Sequence, residues 1–211
     1  RALNSEPLQG EIRIGMQEDF GESLMPGILG EFKRHHPGMR MSARIDRNPA
    51  LLEALNDNRL DLALLWQPEG ELKNGRLISQ CSLEWIAHPD LNIAALLTQG
   101  EPLPLVMFEH PCMMRSRAID SLDRANIPWQ VVFVSHSLSG IWSAVQAGLG
   151  ITLRTRIGMP GSLCVVENLL PSPGNLGITL KMNTGTATVS EAQAALGALM
   201  EAALTGVARV R

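Results

Sequence analysis

From Glu11 to Met16, Ile12 and Ile14 alternate with Arg13, the period of two that turns successive side chains to opposite faces of a strand, and a polar turn follows. Beyond Gly21 the period changes. Leu24, Met25, Ile28, Leu29 and Phe32 recur at helical spacing, with Pro26 in the first turn, where its missing N–H does no harm. The spacing predicts a helix that ends at His36, before Pro37-Gly38. Met39, Met41, Ala43 and Ile45 then share one face of a second strand. Asn48-Pro49 opens a short helix through Leu51, Leu52 and Leu55, and Leu60 to Trp66 is a nearly continuous apolar run, a third strand. The order β-α-β-α-β predicts a mostly parallel sheet with helices on both faces, a Rossmann-like unit.

Leu77 to Ala87 reads as an extended segment leading out of that unit, and His88 to Glu101 as turns. The same order then recurs: a strand over Leu103 to Glu109, a helix over Met113 to Ala125, a buried strand over Val131 to Val134, a helix over Ser137 to Ala147 and a strand over Ile151 to Thr155. After a loop rich in Pro and Gly, Leu176 to Met182 makes another strand. Ser190 to Leu204 makes an Ala-rich helix that returns to the first lobe. The fold class is therefore α/β, two Rossmann-like lobes. The expected lobes are a first of 10–84 plus 183–211 and a second of 85–182. The duplication is one of element order, with no sequence repeat.

Composition narrows the function. The 211 residues are 45% hydrophobic, enough for a proper core, and 18% charged with a net charge of −3. No basic field is available to hold a polyphosphate backbone, so this chain is not expected to bind DNA unaided. Cys81, Cys112 and Cys164 form no C-x-x-C pair, which predicts reduced thiols and a cytoplasmic setting. Arg1 to Gly10 lacks the charge-then-apolar pattern of a signal peptide, and no run of about 18 apolar residues exists to span a membrane.

Three stretches carry a resemblance to a known family. Leu8-Gln9-Gly10-Glu11-Ile12-Arg13-Ile14-Gly15 leads to Met25-Pro26 and Phe32 to Pro37; Leu51 to Leu55 leads to Leu60-Asp61-Leu62-Ala63-Leu64; and Ala144-Val145-Gln146-Ala147-Gly148-Leu149-Gly150-Ile151-Thr152 follows near the end. Together they resemble the effector-binding domain of LysR-type transcriptional regulators, whose fold is similar to type 2 periplasmic binding proteins. Gly100 to Val106 and Ala125 to Trp129 are similar to the LrhA/HexA-like subgroup, whose members control motility, surface behaviour or virulence. The sequence departs from the family where Leu83 to Pro89 shortens the entry to the second lobe, and where Asn58 replaces a glycine before Leu60-Asp61-Leu62. Asn tolerates a left-handed helix end, so the second departure is mild.

The resemblance implies a cleft between the two lobes, and a helix-turn-helix and linker helix ahead of Arg1 with 1–9 the end of that linker, so that DNA is met only through a segment these residues lack. It also implies a small-molecule effector, a homodimer or homotetramer, and effector binding that changes lobe closure and so alters DNA binding and transcription. Two copies would pair antiparallel, the helix of Gly21 to His35 in one facing the second lobe of the other. The alternatives are a solute-binding protein of the same fold, which would need export, and a dimerisation module with no ligand.

In open α/β sheets ligands bind beyond the carboxyl ends of the strands. The first lobe places Gln17 to Phe20, Asp46 to Asn48 and Trp66-Gln67 there; the second places Phe108 to His110, Ser135 to Ser137 and Arg154-Thr155. The candidate effector contacts are Glu18, Asp19, Phe20, Asn48 and Trp66 in the first, and Phe108, Glu109, Ser135, His136, Ser137, Arg154 and Thr155 in the second. Ser135-His136-Ser137 precedes a helical run and can either cap it or hold a polar effector. Glu18 and Asp19 complement a helix dipole or, facing the cleft, disfavour an anion. Arg154 can hold a carboxylate in bidentate fashion, whereas Arg115 is expected to pair with Glu109 or Asp120. Trp66, Phe108 and Trp142 are apolar walls or plain core. This mixture suits a polar neutral or zwitterionic ligand better than a dianion.

No enzyme, cofactor or metal chemistry is expected. Gly148-Leu149-Gly150 follows a helix and precedes a strand, the reverse of a dinucleotide fingerprint, so Gly148 is read as a helix end. The histidines at 35, 36, 88, 110 and 136 form no ligand set with the cysteines, and His35-His36 reads as the cap of a solvated helix end. Cys112 and His110 are separated by Pro111 and have no third partner in the sequence to orient them.

Overall fold

The computed structural model describes residues 6–67, 72–185 and 188–208. Its chain forms two compact units, one of 1–81 with 176–211 and one of 82–175.

In the first unit, β1 (Gln9–Met16) leads through the one-turn α1 (Glu18–Gly21) to α2 (Met25–His35), β2 (Gly38–Ile45), α3 (Asn48–Asn56) and β3 (Leu62–Trp66). β1 pairs in parallel with both β2 and β3. The single helix expected from Gly21 is two: turns at 22–24 separate α1 from α2, which restarts with Pro26 in its first turn. Leu51, Ala54 and Leu55 of α3 bury against Leu60, Ala63 and Leu65 on one sheet face. On the other, α7 (Glu191–Ala208) lies on β10 (Asn175–Met182) so closely that a Cβ on Gly197 would stand 2.8 Å from Met182 Cε and 3.0 Å from Leu180 Cδ2.

β10 was expected in the second lobe. It instead pairs antiparallel with β3, placing Ile178 opposite Trp66 and Leu180 opposite Leu64. With β4 (Gly75–Ser82) the sheet order is β2-β1-β3-β10-β4. Gln9, expected at the end of a linker, already pairs in β1.

The second unit repeats this plan. β6 (Leu103–Phe108) and β7 (Trp129–Ser135) are parallel, β5 (Glu84–Ala87) lies antiparallel between β8 (Thr152–Arg154) and β9 (Cys164–Val165), and a parallel bridge from Leu105 to Ile151 joins the two sets. The joint is made by Val106 N donating to Ile151 O at 2.9 Å and Ile151 N to Pro104 O at 2.9 Å. The order β7-β6-β8-β5-β9 thus matches β2-β1-β3-β10-β4, and in both the fourth strand runs against the third. Phe108, Ile141, Trp142 and Val145 gather on one face beneath α6 (Leu138–Gln146), while α5 (Met113–Arg124) packs on β8.

Three expectations fail here for local reasons. The turns expected over 88–101 hold α4 (Ile93–Gln99), capped by the Asn92 side chain, which accepts from Ala95 N at 3.0 Å, and ended by Gly100 at φ 68°. The extended 77–87 is two strands, broken at Leu83. The strand over 131–134 is not buried on both faces: Val132 and Val134 are 40% and 48% exposed, because alternate side chains of β7 point to an uncovered face of its sheet.

Candidate functional site

At the carboxyl end of β1, Gln17 is buried and its amide donates to Asn48 Oδ1. Asn48 opens α3 but spends its side chain on β3: Nδ2 donates to Trp66 O at 2.7 Å, and Oδ1 accepts from Trp66 N at 3.1 Å. A carboxamide that serves both backbone groups of one residue stands in for a neighbouring strand. One residue on, Gln67 N donates to Gly177 O at 2.7 Å and the Gln67 side chain accepts from the Thr179 hydroxyl.

α1 stands above these loops. Phe20 is fully buried with its ring 4.8 Å from that of Trp66, tilted by 55°. Glu18 and Asp19 fill the first turn of α1, Asp19 buried and Glu18 half-buried. Burial pushes the Cys81 thiol up, and the negative charge of Asp19 adds to it. Trp66 Nε1 is buried and meets no hydrogen-bond acceptor among the described residues.

In the second unit, Glu109 N donates to Ser135 O at 3.1 Å, closing the ends of β6 and β7. Ser137 is the N-cap of α6, its Oγ accepting from Gly140 N at 3.2 Å, and Ser135 Oγ accepts from Ser137 N at 3.1 Å. The turn is tight: a Cβ on Gly140 would fall 2.3 Å from Ser135 Oγ. His136 between the serines is exposed, as is Glu109. Arg154 is buried, its guanidinium 5.0 Å from the centre of the Phe108 ring, and Thr155 beside it is buried with Oγ1 accepting from Ile157 N at 3.3 Å. Arg115, expected to pair with a carboxylate, donates from Nη1 to Phe108 O at 3.0 Å.

The structure therefore gathers Phe20, Asn48 and Trp66 at one set of strand ends, and Phe108, Arg154, Ser135 and Ser137 at the other. The sequence reading missed the Asn48 clamp and the Gln67–Thr179 pair, both of which depend on the register of β3. The only advance signal for the clamp was Asn before Pro at a helix start, which reads equally as a cap. Asn58 at φ 56° and Gly148 at φ 79° hold the left-handed helix ends expected of them. His35 and His36 also serve their helix end: a His35 ring nitrogen meets Glu31 O at 2.8 Å and the backbone N–H of His36 donates to Phe32 O at 2.9 Å, while the His36 ring accepts from Leu8 N at 3.1 Å just before β1.

Cys112 Sγ accepts from Arg115 N as the N-cap of α5, and among the described residues no three His, Cys, Asp or Glu side chains converge to hold a metal. No described helix is long and apolar enough to cross a membrane.

The family described as the LysR substrate binding domain matches residues 5–199. The chain belongs to that family, a family of regulators rather than enzymes. It is 32% identical over 178 residues to the HTH-type transcriptional regulator DgdR of Burkholderia cepacia, an alignment covering 83% of this chain and 59% of the relative. Among solved structures, the regulatory domain of a point variant of OxyR2 from Vibrio vulnificus superposes with a TM-score of 0.74 at 17% identity, over 97% of this chain and all of that one. The CcmR regulatory domain of Synechocystis, solved in complex with 2-PG, gives 0.73 at 19% identity, over 96% of this chain and 99% of that one. Those likenesses establish the periplasmic-binding-protein-like fold.

Proposed function

We propose that the chain is the effector-sensing part of a cytoplasmic LysR-type transcriptional regulator. It holds a small molecule at the carboxyl-end loops of its two units, and binding biases a conformational equilibrium that a DNA-binding segment of the whole protein reads. The observation that carries this is the duplicated sheet whose parallel strands end in loops already fixed by side-chain hydrogen bonds, Asn48 to Trp66 in one unit and Ser135 to Ser137 in the other. Preorganised polar loops lose little freedom on binding, which is where affinity for a small ligand is otherwise spent. That a relative of this fold was solved with 2-PG supports the reading.

The candidate contacts are Glu18, Asp19, Phe20, Asn48 and Trp66 on the first unit and Phe108, Glu109, Ser135, His136, Ser137, Arg154 and Thr155 on the second. Glu18 and Asp19 on the first, with Glu109 and Arg154 on the second, make a mixed charge that favours a polar neutral or zwitterionic molecule. Copies of the chain pair antiparallel, α2 of one against the 82–175 unit of the other.

A thermal-shift screen of small acids, amino acids, aromatics and quinolone- or lactone-like compounds tests the sensing role. The expected result is a saturable rise in melting temperature for at least one polar neutral or zwitterionic class. If every class left the transition unmoved, the chain would be a dimerisation module instead.

A further inference from the structure

At the strand ends of the first unit each polar side chain that ties the loops together has its partner: Gln17 with Asn48, Asn48 with the Trp66 backbone, Gln67 with Thr179. The indole N–H of Trp66 stands apart. It is buried, without an acceptor among the described residues, in a side chain only 4% exposed. Buried indole N–H groups ordinarily find a partner, and a lone one costs on the order of 1–3 kcal/mol. This donor is also held firmly, because Asn48 grips both backbone groups of the residue that carries it. And it sits on the last residue of β3, where open α/β sheets meet their ligands.

We infer that Trp66 Nε1 donates to an oxygen acceptor on the bound small molecule, so that the effector presents a neutral carbonyl or hydroxyl oxygen to the Phe20–Trp66 pair. This rests on the sensing role proposed above. With Glu18 and Asp19 on the adjoining turn, an uncharged oxygen is favoured over a carboxylate at this point. Because Nε1 is buried, an oxygen reaches it only through a local rearrangement around Trp66, whose ring neighbour Phe20, 4.8 Å away, is itself fully buried.

Uniformly ¹⁵N-labelled protein followed by ¹H–¹⁵N correlation tests this, the Trp66 indole signal being identified as the one absent from Trp66→Phe. The probes are cyclopentanone and its alkene isostere methylenecyclopentane. Cyclopentanone is expected to move the indole proton downfield, methylenecyclopentane to leave it in place, and Trp66→Phe to weaken cyclopentanone binding about 10-fold. Benzothienylalanine at position 66, which replaces N–H by sulfur at nearly constant shape, decides the matter if Trp66→Phe does not fold, and the same 10-fold loss is expected. If both probes shift the Gln17 to Phe20 amides alike and leave the indole unmoved, the donor role is wrong while ligand binding at these loops stands. If neither probe perturbs any loop of either unit, the donor role is wrong, while the loop-binding role stands or falls on the thermal-shift screen.

Discussion

Asn48 shows how much one side chain can hold. Its carboxamide replaces a strand partner for Trp66, and Asn48→Ala would leave the Trp66 N–H and C=O in half-buried surroundings with nothing to meet. Orphaning buried groups costs about 1–3 kcal/mol each, and solvent reaching the loop returns part of it. We expect Asn48→Ala to lose about 2 kcal/mol in urea unfolding, with Asn48→Asp only partly restoring it because a carboxylate cannot donate to Trp66 O. Cys81 offers a pH-dependent counterpart. Its raised pKa means the folded chain keeps the thiol proton where the unfolded chain gives it up. The stability this contributes is complete below the ordinary thiol value of 9.0 and is lost as pH climbs above it. Wild type should therefore weaken between pH 8 and 10 more steeply than Cys81→Ala, read as the urea midpoint at each pH. The rule for open α/β sheets placed Asn48 and Trp66 in loops at the same end of the first lobe. Their bond was not legible, because it depends on how far β3 runs before it ends.

At the scale of elements, the readable features were those written in short-range spacing. Asn58, Gly148 and the Ser137 cap follow from what a helix end needs locally. The strand β10 does not. Nothing in the alternation of Leu176 to Met182 says whether it joins the sheet beside it in sequence or one more than a hundred residues earlier, and only pairing with Leu62 to Trp66 settles that. The helix α4 was missed although both of its caps, Asn92 and Gly100, are in the sequence, because seven residues give too short a window for helical periodicity. Two substitutions test the elements that set the loops of the second unit. Ser137→Ala removes the cap of α6 and should cost about 1 kcal/mol, with Ser137→Asp retaining most of it. Gly150→Ala should be worse, by about 2 kcal/mol or more, since its Cβ would stand 2.5 Å from the Pro104 carbonyl oxygen, a backbone atom that can retreat only by opening the β6–β8 joint. Chemical denaturation of the two variants side by side checks the order.

At the scale of the whole molecule the same edges that frame the sheets determine what a second copy can meet. β7 presents Val132 and Val134, 40% and 48% exposed, and β2 presents Ile45 at 38%, on strands that each have a free side. Edge strands carrying apolar side chains are ordinarily blunted by charge or covered by a partner. On β2 the charge is there, Arg40 and Arg44 alternating with Met41 and Ile45, whereas the outward face of β7 from Gln130 to Val134 carries none. An uncharged edge of one copy against a helix of another is what antiparallel pairing would supply, and the unbroken apolar run of Val131 to Val134, which reads in sequence as a buried strand, would suit such a covered edge. Sedimentation velocity should therefore show concentration-dependent dimers in the wild type. Val134→Glu places a carboxylate on that face at little cost to a monomer, in which the residue is already half in water, and should weaken association about 10-fold or more while the unfolding midpoint of the dilute protein stays within about 0.5 kcal/mol of wild type. A variant that dimerises as tightly as wild type would place the pairing surface elsewhere, and one that loses stability together with association would show that β7 is held by its own unit more than its exposure indicates.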